Sequence, residues 1–229
     1  MSLRTAKKLG RRCQEWAERG PIGTRLQEWV WRTRHLYRKN WAQGYLDTID
    51  HPHPSQIVDA VSFFSPVSSV LEVGCASGAN LIRLRERLPG GCLLMGVDIN
   101  RKAIAVARSH FAGLGDDQVH LVVGQADQLS GVADASMDVV LTDAVLMFIA
   151  PDRIRDVLAE LGRVCRKGLV LNEYHCAGEV GGRFDGGRWV YDFVALIEQQ
   201  FPHARIQMKK TAFVGGAWDV YGRLIEVRL

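Results

Sequence analysis

The chain has 229 residues, 47% hydrophobic and 24% charged, with a formal net charge of +4 at pH 7. This is the composition of a globular chain of one domain plus an appendage, and no apolar run approaches the roughly 20 residues of a membrane-spanning helix. The opening residues lack the apolar stretch of a secretory signal, and the five scattered cysteines form no C-x-x-C pair, which argues against a disulfide framework and a structural zinc site; a cytoplasmic location is expected.

The charge is unevenly spread. Residues 1–39 hold 11 Lys/Arg against Glu15, Glu18 and Glu28, a balance of +8, whereas the remainder carries −4. Residues 1–41 also contain four of the six tryptophans, Trp16, Trp29, Trp31 and Trp41. Residues 3–18 and 23–39 read as helices, divided by the breaker cluster Gly20-Pro21-Ile22-Gly23. Residues 1–50 therefore read as a basic, tryptophan-rich helical arm or lid, and 51–229 as the main domain. Such an arm suits peripheral contact of residues 1–41 with an inner-membrane surface, through indoles at the headgroups and cations on anionic lipid. It also suits nucleic acid, the less favoured partner, or packing on the main domain or on a second subunit in a homodimer.

His51-Pro52-His53-Pro54 reads as a rigid, extended junction, because residues before proline avoid the helical region. Gln56–Phe64 reads as a helix. From Ser69 onward strand and helix alternate: a first strand at Ser69, a helix over Leu81–Leu88, a strand over Leu93–Val97, a helix over Ala103–Phe111 and a strand over Val119–Val123. Then come a strand over Val139–Thr142, a helix over Arg153–Val164 and a strand over Leu169–Leu171. This alternation predicts parallel βαβ units in one doubly wound α/β sheet.

The most informative stretch is Val70-Leu71-Glu72-Val73-Gly74-Cys75-Ala76-Ser77-Gly78-Ala79-Asn80, followed by Met95-Gly96-Val97-Asp98-Ile99-Asn100. A buried strand opens into a small-residue turn where a ligand can approach the backbone. Asp98, 20 residues past Gly78, falls at the tip of the next strand, where it can accept from a ribose diol. The turn reads E-x-G-x-x-x-G and not the G-x-G-x-x-G of a dinucleotide site.

At these residues the chain resembles the class I S-adenosylmethionine-dependent methyltransferases. The resemblance continues through Gly124-Gln125-Ala126-Asp127, Met137–Asp143 and Leu161–Leu171. It implies a mostly parallel, seven-stranded Rossmann-like sheet whose last strand is antiparallel, with a helix near Val190–Gln200 and final strands near Ala204–Lys209 and Val220–Val227. It also implies S-adenosylmethionine as cofactor and S-adenosylhomocysteine as product. Glu72, Gly74, Cys75, Ala76, Gly78 and Asn80 would form the cofactor loop, with Cys75 a small residue that fits and not a nucleophile. Asp98 would hold the ribose, Ile99 and Asn100 would flank the adenosine, and Ala126, Asp127 and Gln128 would meet the adenine. Asp143 is the cleft acid at the end of the fourth strand. Trp41-Ala42-Gln43-Gly44-Tyr45 and the His-Pro pairs resemble N-terminal segments of small bacterial methyltransferases of surface-polysaccharide clusters.

The acceptor is expected to be a small molecule or a glycan, methylated at oxygen; the alternatives are an RNA or protein methyltransferase and a cofactor-binding scaffold without activity. Thr142-Asp143-Ala144-Val145 departs from the N/D-P-P-Y of nucleic-acid amine methylation. His175, in Asn172-Glu173-Tyr174-His175, is the candidate general base, since an unperturbed imidazole titrates near working pH. Asp143, Asn172 and Glu173 offer an alternative set of oxygens for Mg2+, although no residue is assigned as a metal ligand. Val145–Ile149 is either an acceptor wall or core packing, the glycine-rich Gly178–Gly187 reads as a lid, and Tyr191 and Asp192 either touch the acceptor or cap a packed helix.

Overall fold

The computed structural model describes residues 21–229 apart from position 39. The helix expected over 3–18, with Trp16, lies outside the described residues. Helix α1 spans Pro21–Tyr37. Pro21 opens it at the position where a missing N–H costs nothing, so this part of the anticipated breaker is a helix start. A short helix α2, Trp41–Leu46, follows Asn40, whose left-handed φ of 63° suits asparagine.

The extended junction is corrected by the structure. Helix α3 runs from Pro52 to Ser62, so both prolines occupy its first turn, and only His51 is extended. The His51 ring accepts from the His53 N–H and acts as the N-cap. Proline before a helix turn reads equally as a stop or a start, and here the missing N–H groups fall where none is needed.

The sheet follows the expected alternation. Its strands are β1 (Ser69–Val73), β2 (Leu93–Asp98), β3 (Val119–Val123), β4 (Met137–Asp143) and β5 (Cys165–Tyr174). Helices α4 (Ala79–Arg87), α5 (Arg101–Gly113) and α6 (Ile154–Val164) connect them. A small hairpin, β6 (Arg183–Asp185) with β7 (Arg188–Val190), precedes α7 (Phe193–Gln200), β8 (Arg205–Lys210), α8 (Ala217–Tyr221) and β9 (Gly222–Arg228). The seven-stranded order is β3-β2-β1-β4-β5-β9-β8, with β3 to β5 parallel and β9 antiparallel to both neighbours. β5 is ten residues long, not three, because it pairs with β4 on one side and along Gly168–Tyr174 with β9 on the other.

Strand alternation divides the core. Val70, Val139, Leu141 and Val170 face Ile57 and Val61 of α3, Leu81 of α4 and Ile104 of α5. Leu71, Val73, Val140 and Leu169 face Leu158 and Leu161 of α6 and Phe193 and Ile197 of α7. With both faces covered, strand tips and the turns after them are the places left for chemistry. The segment anticipated as a lid, Gly178–Gly187, supplies β6 and the turn of the β6–β7 hairpin, where Arg183 donates to the Tyr221 hydroxyl and that hydroxyl donates to Asp185, 2.9 Å away.

Candidate cofactor and acceptor cleft

The turn after β1 is tied to β2 by Gly74 and Cys75, whose N–H groups both donate to the Val97 carbonyl. Gly74 is left-handed (φ 79°), and a Cβ there would lie 2.2 Å from Val145 Cγ2. The backbone is therefore bare where the turn after β1 meets Val145, just past β4. Ala76 is also left-handed (φ 45°), a conformation that costs an L residue of order 1 kcal/mol or more. Its N–H donates 2.9 Å to Asp98 Oδ2, while Asn100 N–H donates 2.7 Å to Oδ1. Burial raises the Asp98 carboxyl above its ordinary value, and these two amides oppose that rise. The carboxylate is thus aimed, with lone pairs to spare, at the tip of β2.

An inner chamber of about 130 Å³ is lined by Ala76, Asp98, Ile99, Ala126 and Asp127, under Trp31 of α1. An outer one of about 660 Å³, a volume usual for ligand sites, reaches Glu72, Cys75, Asn80 and His53. Gly74, Asp143, Trp41 and Tyr45 border both. The arm segment is therefore part of the cleft. Asn100 Nδ2 donates to the Trp31 carbonyl at 2.7 Å, Ser77 Oγ to the Ala42 carbonyl, and Arg153 bridges Glu28 and Asp127. Trp31 and Trp41 pack at the cleft, whereas Trp29 is 57% exposed.

Several anticipated residues stand elsewhere. Gly78 is the left-handed residue before α4, with no place in either chamber. Asn100 is fully buried as the cap of α5 and Gln128 is exposed, and neither lines a chamber. Asp127 lines the inner chamber but is paired with Arg153.

Asp143 sits between the chambers. Its Oδ1 accepts from Asn172 at 2.7 Å, and its Oδ2 faces Asn80 at 3.0 Å and His53 Nε2 at 3.4 Å. Burial alone would raise this carboxyl, yet those donors hold it below its ordinary value. The His53 ring in turn places Nδ1 2.7 Å from His51 Nδ1. Glu72 is buried, accepts 2.8 Å from Asn80 Nδ2, and is pushed up to about 8 by burial, so it is protonated near neutrality. Buried Glu72 Oε2, Asn80 Oδ1, Asn172 Oδ1 and Trp41 Nε1 lack hydrogen-bond partners among the described residues.

His175 is corrected as the base. It is 6% exposed, lines neither chamber, and its Nδ1 accepts from the Phe193 N–H at 3.1 Å. Its ring holds the entry to α7. Asp192, likewise, caps α7 by accepting from Ala195 N–H, and Tyr191 is fully buried, donating to the Ile149 carbonyl. The oxygen set for Mg2+ does not fit a cation. Glu173 is spent on the amides of Val145, Leu146 and Met147, and Asp143 on the donors named above. The Glu173 carboxyl, pushed up to about 7 by burial, clamps the 3-10 turn Leu146–Phe148 that follows β4. Among the described residues no group of three His, Cys, Asp or Glu could hold a metal ion, and no helix is long and apolar enough to cross a membrane.

Residues 70–168 match the family model of a methyltransferase domain. The match runs from β1 into the start of β5 and so takes in Gly74, Asp98 and Asp143. The chain is similar to catechol O-methyltransferase of Mus musculus, 33% identical over 138 residues, which cover 58% of this chain and 49% of that protein. A putative O-methyltransferase of Mycobacterium tuberculosis is 33% identical over 118 residues, 50% of each chain. The chain spans about half the length of the curated relatives it matches. Its fold is that of the Burkholderia thailandensis 1,6-didemethyltoxoflavin-N1-methyltransferase, described with bound S-adenosylhomocysteine; the TM-score is 0.64 at 15% identity, over 87% of this chain and 86% of that one.

Sequence reasoning missed His53, Tyr45 and Arg153 at this site. His53 was hidden by the proline pair. The other two carry no local motif and are brought in by α2 and by the start of α6.

Proposed function

We propose that the chain is an S-adenosylmethionine-dependent methyltransferase that methylates an oxygen of a small-molecule or glycan-type acceptor. The observation that carries the reading is Asp98, held by two amides at the tip of β2 beside the bare backbone of Gly74. The residues fit the cofactor. Asp98 would take the ribose hydroxyls, Ile99 and Ala126 would border the adenine, and the unpartnered Glu72 Oε2 and Asn80 Oδ1 would meet the amino group of the methionine end. When bound, the cofactor supplies an electrophilic methyl group for an in-line displacement.

The chain's own work is then to align the acceptor and remove its proton. His53 borders the outer chamber. Its Nε2 is turned as a donor towards Asp143 Oδ2, 3.4 Å away, so His53 positions the Asp143 carboxylate as the group that takes the proton of an acceptor hydroxyl. Burial and the neighbouring His53 keep His51 below its ordinary value, so it is neutral and able to accept. The O-methyltransferase relatives support oxygen as the methylated atom.

Calorimetric titration with S-adenosylhomocysteine tests the reading. Micromolar binding is expected, and Asp98→Asn should weaken it by about 100-fold, since a hydrogen bond to a charged acceptor contributes roughly 1.5–3 kcal/mol. Absence of binding, or an unchanged affinity in the variant, would sink the assignment.

A further inference from the structure

We propose, building on the methyl-transfer reading, that the acceptor is a ring-bearing molecule with an anionic group, and that Arg38 and Arg188 bind that group at the rim of the outer chamber. Both residues line that chamber. Seven other arginines, at positions 83, 85, 87, 153, 163, 166 and 183, stand on carboxylates. Arg38 and Arg188 have no carboxylate partner among the described residues, although Asp185 pairs with Arg188 across the β6–β7 hairpin. Asp185 is instead taken by Tyr221 and Arg183.

Of the two acids that line the chamber, Glu72 is protonated near neutrality, and Asp143 alone stands against Arg34, Arg38 and Arg188. Two planar cations thus face a half-enclosed space with a fixed net positive field. Guanidinium forks match the bidentate geometry of carboxylate and phosphate, and low-dielectric walls strengthen their pull.

The walls indicate the ring. The Arg188 guanidinium carbon lies 5.7 Å from the centroid of Phe148, and Arg34 lies 4.4 Å over Trp31. Trp41, Phe213 and Trp218 complete the aromatic lining. Flat faces of this kind hold an aromatic ring or the C–H face of a sugar while the anion reaches the arginines. The hydroxyl end of such an acceptor is then left for His53 and Asp143 deeper in the cleft.

The test is calorimetry of the full chain, with and without saturating S-adenosylhomocysteine, on two probe pairs that differ only by the anion-bearing group. The pairs are 6-hydroxy-2-naphthoate with 2-naphthol, and glucuronate with glucose. In one pair the acid should bind at least about tenfold more tightly, as one charge-assisted bidentate contact implies. That preference should fade as salt is raised and vanish in the Arg38→Gln/Arg188→Gln double variant. Which pair responds identifies the ring. Equal binding within both pairs, or a preference that survives in the double variant, would overturn the proposal. So would S-adenosylhomocysteine affinity that falls in the double variant, because the arginines would then serve the cofactor's carboxylate. If S-adenosylhomocysteine fails to bind the wild-type chain but the preference for acids holds, the anion site stands and the methyl-transfer reading falls.

Discussion

Replacing Glu72 by glutamine should change the shape of the stability–pH curve, not merely its height. Glu72 is buried at the end of β1, with one oxygen on Asn80 and the other without a partner, and burial pushes its carboxyl from 4.5 to about 8. The folded chain therefore holds this proton through a pH range in which the unfolded chain has released it. A raised folded-state value means that the group's contribution is complete below the unfolded value and is lost as pH rises towards 8. Integrating the linkage with about 1.36 kcal/mol per pKa unit gives a loss on the order of 3 kcal/mol between pH 5.5 and 8. Glutamine is neutral throughout and keeps the oxygen that Asn80 donates to. Glu173, also raised by burial, contributes a slope of the same sign, but it is common to both proteins and cancels in the difference. Urea unfolding of the ligand-free wild type and Glu72→Gln at several pH values reads this difference directly. The variant should gain on the wild type by about 3 kcal/mol across that interval. A constant offset at every pH would refute the argument and mean that Glu72 is ionised in the fold.

Gly74→Ala should destabilise the chain by about 1–3 kcal/mol through its positive φ and also weaken S-adenosylhomocysteine binding, because the new Cβ meets Val145 Cγ2 at 2.2 Å; a thermal melt and a titration check both. Trp31→Ala should lower cofactor affinity by roughly tenfold with little change in unfolding, since Trp31 roofs the inner chamber from the arm; an unchanged affinity would show that the arm does not close the pocket. His175→Ala should cost about 1–3 kcal/mol by leaving the buried Phe193 N–H without its acceptor, while S-adenosylhomocysteine affinity stays as in the wild type; loss of binding without loss of stability would return His175 to the cleft. Because burial lowers the His175 value, its neutral ring supports the fold above its unfolded value, and that support is lost as pH falls.

The sequence alone determined the alternation of strands and helices from Ser69 onward, the E-x-G-x-x-x-G turn and the acid 20 residues past it. These are local features. A strand buried on both faces, a turn that demands a bare backbone and an acid at a strand tip each leave their mark on a few consecutive residues. The sequence therefore already pointed to Gly74, Ala76 and Asp98, which the structure brings together along the cleft. Gly78, Asn100 and Gln128 belong to the same segments, but Gly78 opens α4, Asn100 caps α5 and Gln128 is exposed, and none of them lines the cleft.

Only the tertiary structure decided what the polar groups beyond the cofactor loop do. His175 and His53 are both histidines beside a turn, and nothing in their immediate neighbours separates them. The antiparallel seat of β9 beside β5 buries His175 against α7, whereas the proline-initiated helix α3 delivers His53 to Asp143, 90 positions away in the chain. Glu173 resembles a metal ligand in sequence and is a clamp in space, because the 3-10 turn after β4 presents three amides to it. The arm's tryptophans likewise could face lipid, nucleic acid or protein on composition alone, and the bond from Asn100, just past β2, to the Trp31 carbonyl seats α1 where Trp31 lines the cleft. Side-chain chemistry is written in the sequence, but its partners are set by contacts between distant segments, which no local pattern records.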